Sequence, residues 1–197
     1  MRFGGWLFRH RTSIPLPIAV ALLLIPAQRL AHSSWFDAAG AVLVALGELT
    51  RLWAVRHIGV ISRTRSDRLG PLVSTGPFAI VRNPLYIGNI ALWVGFSLAA
   101  HLPQLAPLIA LVLAVEYHAI VRWEEELLVS RRGEEYRAYA ARVPRWIPNA
   151  LRTHTGQRLQ RPPSAAAFSW RDTLYSERGT LIAIAAGYLL LWVKSRL

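Results

Sequence analysis

The chain has 197 residues, 53% of them hydrophobic, with 23 Lys and Arg against 11 Asp and Glu, a formal net charge of +12. Such a composition excludes an ordinary water-soluble core and points to a membrane protein whose basic residues mark cytoplasmic loops and contact with anionic lipid heads. The absence of cysteine excludes disulfides, thiolate metal ligands and a Cys nucleophile, the six histidines lie too far apart for a metal site, and basic residues scattered between apolar runs do not form a nucleic-acid face.

Residues 1–12 carry Arg2, Arg9 and Arg11 and precede an apolar run over 13–30 that no small-residue cleavage site follows. The expectation is a retained first membrane helix, bent by Pro15, Pro17 and Pro26. After a short polar loop with His32, a second helix is predicted over 35–58. Glu48 and Arg51 are three residues apart within it and can pair on one face, as a structural ion pair near the headgroups in the first instance and as a lining of a site in the second. Residues 59–74, with Arg63, Arg65, Asp67 and Arg68, read as a cytoplasmic loop.

The stretch 75–88 reads Thr-Gly-Pro-Phe-Ala-Ile-Val-Arg-Asn-Pro-Leu-Tyr-Ile-Gly. Gly76-Pro77 predicts a turn. Asn83 is pushed out of the α region by the proline behind it, and Pro84 has the φ suited to a first helical position, so a helix is expected to start there and run to about residue 100. The free N–H groups of its first turn and the Arg82 guanidinium make a place for a carboxylate or phosphate. A tight turn at 101–103 leads into a fourth helix over 104–128 that emerges into water near Trp123. His118 on it reads as an interfacial residue. Gly133 is expected to break this helix, and a short helix through Ala141 to follow, with Tyr136, Tyr139, Ala140 and Val143 on its apolar face. Residues 149–169 read as a surface linker, and the apolar run 179–193 as a fifth crossing or an interfacial helix. Counting arginines near the helix ends places the N-terminus, the 59–82 region and the 124–178 region on one cytoplasmic side, where 75–88 and 122–148 meet.

The second of those stretches contains Arg122-Trp-Glu-Glu-Glu and Gly133-Glu-Glu-Tyr-Arg-Ala-Tyr139, and ends in Arg142-Val-Pro-Arg-Trp-Ile-Pro148. Together with Arg82-Asn-Pro-Leu-Tyr86 it resembles the isoprenylcysteine carboxyl methyltransferase family, whose wider group includes membrane phospholipid N-methyltransferases. The resemblance covers roughly 72–148. It departs from the commoner pattern at Asn83, where His is usual, at Arg132, where an aromatic often precedes the glycine, and in the chain beyond Pro148. The resemblance implies an all-α integral membrane methyltransferase of four to five transmembrane helices, with a cytoplasmic helical segment covering S-adenosylmethionine. Residues 1–58 would supply two N-terminal membrane helices, 59–148 the methyltransferase core, and 149–197 a linker and a C-terminal apolar helix.

S-adenosylmethionine presents a carboxylate, an ammonium, an adenine and a sulfonium, so its site needs a cation or helix N-terminus, an anion and an apolar slot. Arg82, Glu124 and Glu125 are the expected charged residues. Gly76, Pro77, Asn83, Pro84, Tyr86, Gly88, Tyr136 and Tyr139 are the expected cofactor-binding residues, the tyrosines as adenosine wall. A carboxylate acceptor would need no general base, whereas an amine would need a Glu to accept or direct a proton. An apolar acceptor would enter sideways from the bilayer. The near-complete use of arginine for lysine points to a GC-rich prokaryotic source and a bacterial inner membrane, with a lipid or other hydrophobic acceptor. A nicotinamide-dependent reductase of the sterol-reductase type, or a non-catalytic membrane scaffold, are the other readings of the same signature.

Overall fold

Seven helices make up the computed structural model, which describes residues 2–27, 34–59, 72–148 and 169–196. They are α1 (Arg2–His10), α2 (Leu16–Leu24), α3 (Ser34–Ile58), α4 (Pro84–Ala99), α5 (Ala106–Arg132), α6 (Glu134–Arg142) and α7 (Trp170–Lys194), with 3₁₀ turns at Gly76–Ala79 and Pro103–Leu105. No strand occurs among the described residues. The loop expected at 59–74 lies mostly outside them, as do most of the 149–169 linker and His32.

Small residues decide where the two central helices touch. Gly40 of α3 faces Gly95 of α4, and Gly47 faces Gly88, so the helices run antiparallel with their backbones in contact. A Cβ at Gly47 would lie 2.7 Å from the Gly88 carbonyl oxygen, and one at Gly88 would lie 2.7 Å from the Gly47 oxygen. Any side chain here must push two helix backbones apart. Gly47→Val is therefore expected to destabilise the fold by about 1–3 kcal/mol, the usual cost of overpacking. Gly179→Ala, at a helical position where a Cβ meets nothing within 4 Å, should not lower the melt and should raise it slightly through helix propensity. Equal melting temperatures for the two variants would contradict the close packing.

Proline rules set the start of α4. Asn83 is held out of the helical region (φ −128°, ψ 52°), Pro84 opens the helix, and the Gly76-Pro77 turn forms with Gly76 at φ +60°, pressed on the His57 ring. At the other end, the Leu102 N–H donates to the Ser97 carbonyl and closes a tight reversal into α5. Gly133, at φ +52°, ends α5 and opens α6, as its position in the sequence predicts.

The first membrane helix expected over 13–30 is not formed. Pro15 and Pro17 donate no hydrogen bond, and the chain turns over residues 11–15, where the His10 carbonyl accepts from Ser13 (2.8 Å) and Ile14 (3.1 Å). Two helices of nine residues result, each about 13 Å long and too short for a hydrocarbon layer of about 30 Å. α2 stops at Ile25, extended before Pro26. α1 packs through Gly4, Gly5, Leu7 and Phe8 on α5, with Phe8 and Trp123 rings 5.1 Å apart, and leaves Phe3 and Trp6 exposed.

α7 begins well before the apolar run that announces it. Its N-cap is Ser169, whose hydroxyl accepts from the Asp172 N–H (3.1 Å) and donates to the Asp172 carboxylate (2.6 Å). The polar residues Thr173, Ser176 and Glu177 of its first turns are buried, against α3 in the case of Glu177. Two helical stretches, Ser34–Ile58 and Pro103–Arg132, are long and apolar enough to cross a membrane. The outward faces of α3, α5 and α7 expose Val42, Leu46, Leu49, Leu111, Val115, Ile182 and Leu189.

Candidate functional site

Where α4 leaves the loop and α5 runs into α6, one cavity of about 950 Å³ opens between α2, α3, α4, α5, α6 and α7. Its polar end is made by the two stretches that the arginine distribution places together. The Arg82 guanidinium lies 3.1 Å from Glu125 Oε1. Arg145 holds the same carboxylate with two prongs, Nε to Oε1 at 3.1 Å and Nη2 to Oε2 at 2.6 Å. One carboxylate is thus shared between two guanidiniums, which leaves a net positive corner. The hydrogen bonds to Glu125 hold Arg145 firmly in its charged form.

Beside it, the Tyr86 hydroxyl sits 3.1 Å from both oxygens of Glu124 and donates across them. Tyr86 also stacks on Tyr117, with centroids 4.7 Å apart. The roof is α6. Tyr136 and Tyr139 are buried with rings 6.0 Å apart, and the Tyr139 hydroxyl donates to the Phe78 carbonyl at 2.7 Å, tying α6 to the 3₁₀ turn before α4. Burial pushes the Tyr136 hydroxyl up to about 12 and the Tyr139 hydroxyl higher still, so both stay neutral donors. The backbone completes the joint, with Arg82 N–H donating to the Pro144 carbonyl at 2.9 Å.

Of the sequence-predicted site residues, Arg82, Asn83, Pro84, Tyr86, Glu124, Glu125, Tyr136 and Tyr139 line this one cavity. Gly76, Pro77 and Gly88 do not. Gly76 packs on His57, Pro77 is buried in its turn, and Gly88 is consumed by the seam with Gly47 and the Arg51 stem, so all three act on the framework. His118 is exposed on α5, away from the cavity. Asn83 does not cap α4. Its Nδ2 donates to the Arg145 carbonyl at 3.1 Å and so fixes the segment that carries Arg145. Asn83→Asp removes that donor and sets a carboxylate against a carbonyl oxygen, so ligand affinity at this end should fall at least tenfold, about 1.4 kcal/mol or more. Asn83→His keeps a ring N–H and should retain measurable affinity. Equal affinity in Asn83→Asp and the unaltered chain would contradict this role.

Sequence reasoning missed two contributors, Arg145 and Arg11. Arg145 lies in the Arg142-Val-Pro-Arg145 stretch, where nothing local assigns it to Glu125. Arg11 reaches the cavity wall from the α1–α2 turn, its guanidinium 4.0 Å over the Phe8 ring. Arg51 also lines the wall. Besides its ion pair with Glu48 (3.4 Å), it donates to Asn89 of α4 and to Glu177 and Thr180 of α7, the last at 3.0 Å. The Glu48–Arg51 ion pair is therefore formed, and of its two members Arg51 lines the cavity. No group of three or more His, Asp or Glu residues poised for a metal occurs among the described residues.

The chain matches the phospholipid methyltransferase family over residues 35–134. It is 34% identical over 152 residues to the nickel-cobalt-cadmium resistance protein NccN of Alcaligenes xylosoxydans xylosoxydans, covering 73% of this chain and 67% of the relative. It is 26% identical over 152 residues to the cobalt-zinc-cadmium resistance protein CzcN of Cupriavidus metallidurans, covering 73% of this chain and 66% of the relative. With the protein-S-isoprenylcysteine O-methyltransferase of Rattus norvegicus it shares 32% identity over 124 residues, 58% of this chain and 42% of that protein. The chain thus spans about two thirds of the resistance proteins and less than half of the rat enzyme. No solved structure matches it. The family match takes in α3, α4 and α5 with the Arg82, Glu124 and Glu125 cluster that they assemble, and the chain belongs to the phospholipid methyltransferase family.

Proposed function

We propose that the protein is an integral membrane methyltransferase that uses S-adenosylmethionine to methylate a carboxylate or amine on a lipophilic acceptor at the cytoplasmic face. The observation that carries this reading is a single cavity with a charged end and an apolar end. Arg82, Glu125, Arg145, Glu124 and Tyr86 gather at one end, and Leu92, Phe96, Ile184 and Leu191 line the other. On this reading α3, α4, α5 and α7 cross the bilayer with the charged end on the side of α6, the side to which the arginine bias assigns the cytoplasm.

The donor set suits the cofactor. The positive corner of Arg82 and Arg145 around one carboxylate fits its carboxylate. Glu124, to which no guanidinium is bonded among the described residues, keeps lone pairs for its ammonium. Tyr136, Tyr139, Phe78 and Leu128 supply the apolar slot for adenosine. When bound, S-adenosylmethionine supplies a methyl group activated by a sulfonium. The protein's own work is to hold that end in register, exclude water with α6, and present the acceptor's reactive atom in line, positioning that can contribute on the order of 7–11 kcal/mol. For an amine acceptor, Glu124 is the carboxylate placed to take the proton.

Binding of labelled S-adenosylmethionine to the detergent-purified chain tests the cofactor, and mass spectrometry of lipid extracts from cells with and without the protein finds the acceptor. Reporters in the 59–74 loop and near Gln157 should both read cytoplasmic. Opposite readings would separate the two halves of the site and refute the reading, and failure to bind S-adenosylmethionine would refute it equally.

A further inference from the structure

Seen along its length, the cavity divides between two parts of the chain. The charged end comes largely from α4, α5 and α6, most of it within the family-matched segment 35–134. Much of the apolar end comes from outside that segment, from Leu16, Ala19 and Leu22 of α2 and from Ala183, Gly187 and Leu191 of α7. The two helices meet at the far end, where Lys194 Nζ donates to the Leu22 carbonyl at 2.6 Å.

From Pro84 to Phe96 the lining follows α4 over twelve residue steps, about 18 Å at 1.5 Å per residue. A volume of about 950 Å³ lies at the top of the range of about 300–1,000 Å³ for sites that hold one drug-sized ligand. It has room for a cofactor at one end and an apolar chain beyond it. Phe96 is the last residue of α4 in that lining. Its ring is wedged between Tyr188, with centroids 5.3 Å apart, and Trp93, at 6.4 Å. The wedge exists only because residue 187 is glycine, since a Cβ there would lie 2.8 Å from Phe96 Cε1 and 3.0 Å from Cζ. The ring must then swing away, and both Phe96 and Gly187 face the cavity.

We propose that Phe96, seated on Gly187, is the floor of the acceptor chamber and sets the length of the single apolar chain that an acceptor carries. This rests on the methyltransferase reading of the charged end. It deepens that reading by placing acceptor selection in α2, α7 and the end of α4, apart from the residues that hold the cofactor. An aromatic floor is rigid, so the limit is sharp. Each methylene that fits tightens binding and the first that does not fit is excluded.

Saturated fatty acids of 8 to 18 carbons serve as the probe, measured by displacement of a dansyl-labelled fatty acid from the purified protein, with S-adenosylmethionine binding followed in parallel. Affinity of the unaltered chain should rise about fourfold per added methylene, the value for about 0.8 kcal/mol each, and then stop rising at one chain length. Phe96→Ala should move that cutoff to longer chains, and Gly187→Ala, which displaces the ring, should move it in either direction away from the original length. A cutoff that is the same in all three proteins overturns the proposal, as does the absence of any displacement. Cofactor binding separates the two failures, because variants that bind S-adenosylmethionine but share one cutoff remove the floor and leave the methyltransferase reading standing. Loss of cofactor binding in the unaltered protein removes both.

Discussion

Glu125→Gln is expected to nearly abolish binding of S-adenosylmethionine, with a smaller loss on removing either arginine beside it. Glu125 is the shared partner of Arg82 and Arg145, and its side chain is only 14% exposed, with Arg82 at 13% and Arg145 at 33%. Taking away the carboxylate leaves two guanidiniums facing each other in a partly dry corner. Breaking such a buried pair costs about 3–5 kcal/mol, a factor on the order of a thousand in affinity. Arg82→Ala, by contrast, leaves Glu125 held by the two prongs of Arg145, so it strands no charge. A simple Arg82–Glu125 pair would give equal losses from either side. The second arginine makes the network unequal.

The same geometry fixes what the combinations should do. Arg82→Lys places a point charge where a planar fork meets a carboxylate, and should behave like Arg82→Ala. Glu125→Gln with Arg82→Ala should bind no worse than Glu125→Gln alone, because groups that act as a unit lose their value together. Calorimetric titration of S-adenosylmethionine into each purified variant, with a thermal melt beside it, reads these outcomes. Binding within threefold of the unaltered chain in Glu125→Gln would make the cluster a helix anchor and would move the search for the cofactor site to Glu124 and Arg11.

Local chemistry makes much of this architecture legible in the sequence. The start of α4 at Pro84, the break at Gly133 and the meeting of 75–88 with 122–148 follow from proline, glycine and arginine placement, which act through one or two residues or through the bilayer. Legibility failed where tertiary contact outweighs composition. An apolar run over 13–30 looks like one helix, but Pro15 and Pro17 starve it of donors, and Gly4 and Gly5 let residues 2–10 fold onto α5 instead. The first turns of α7 are polar and fall outside the apolar run 179–193, yet Thr173 and Glu177 are buried, so hydropathy marks only the later part of the helix. Gly88 sits in a motif and reads as a ligand residue, while its value is the space it leaves for Gly47. Partners far apart in sequence, such as Arg145 with Glu125 and Arg51 with Glu177, carry no local mark at all.

That last pair yields the second large effect, of a different kind. Arg51 joins three helices, since it reaches Glu48 on its own helix, Asn89 on α4, and Glu177 and Thr180 on α7. The carboxylates it meets are nearly dry, with side chains 8% exposed at Glu48 and 3% at Glu177. Arg51→Met keeps the stem against Gly88 but takes the guanidinium from both, and is expected to cost about 3–5 kcal/mol of stability. Arg51→Met combined with Glu177→Gln should recover part of that loss, because it is the stranded carboxylate, more than the missing pair, that destabilises. The contrast with Glu125 is diagnostic. Changes at Arg51 should lower the melting temperature in S-adenosylmethionine-free detergent and loosen α7, seen as faster proteolysis near residue 170, while cofactor affinity in the folded fraction changes far less than in Glu125→Gln. Should Arg51→Met melt with the unaltered chain, α7 is held by apolar packing alone and the network is incidental to the fold. Should it melt normally and lose cofactor, Arg51 belongs to the binding site itself, and the division of the cavity into a charged cofactor end and a polar brace at α7 is wrong.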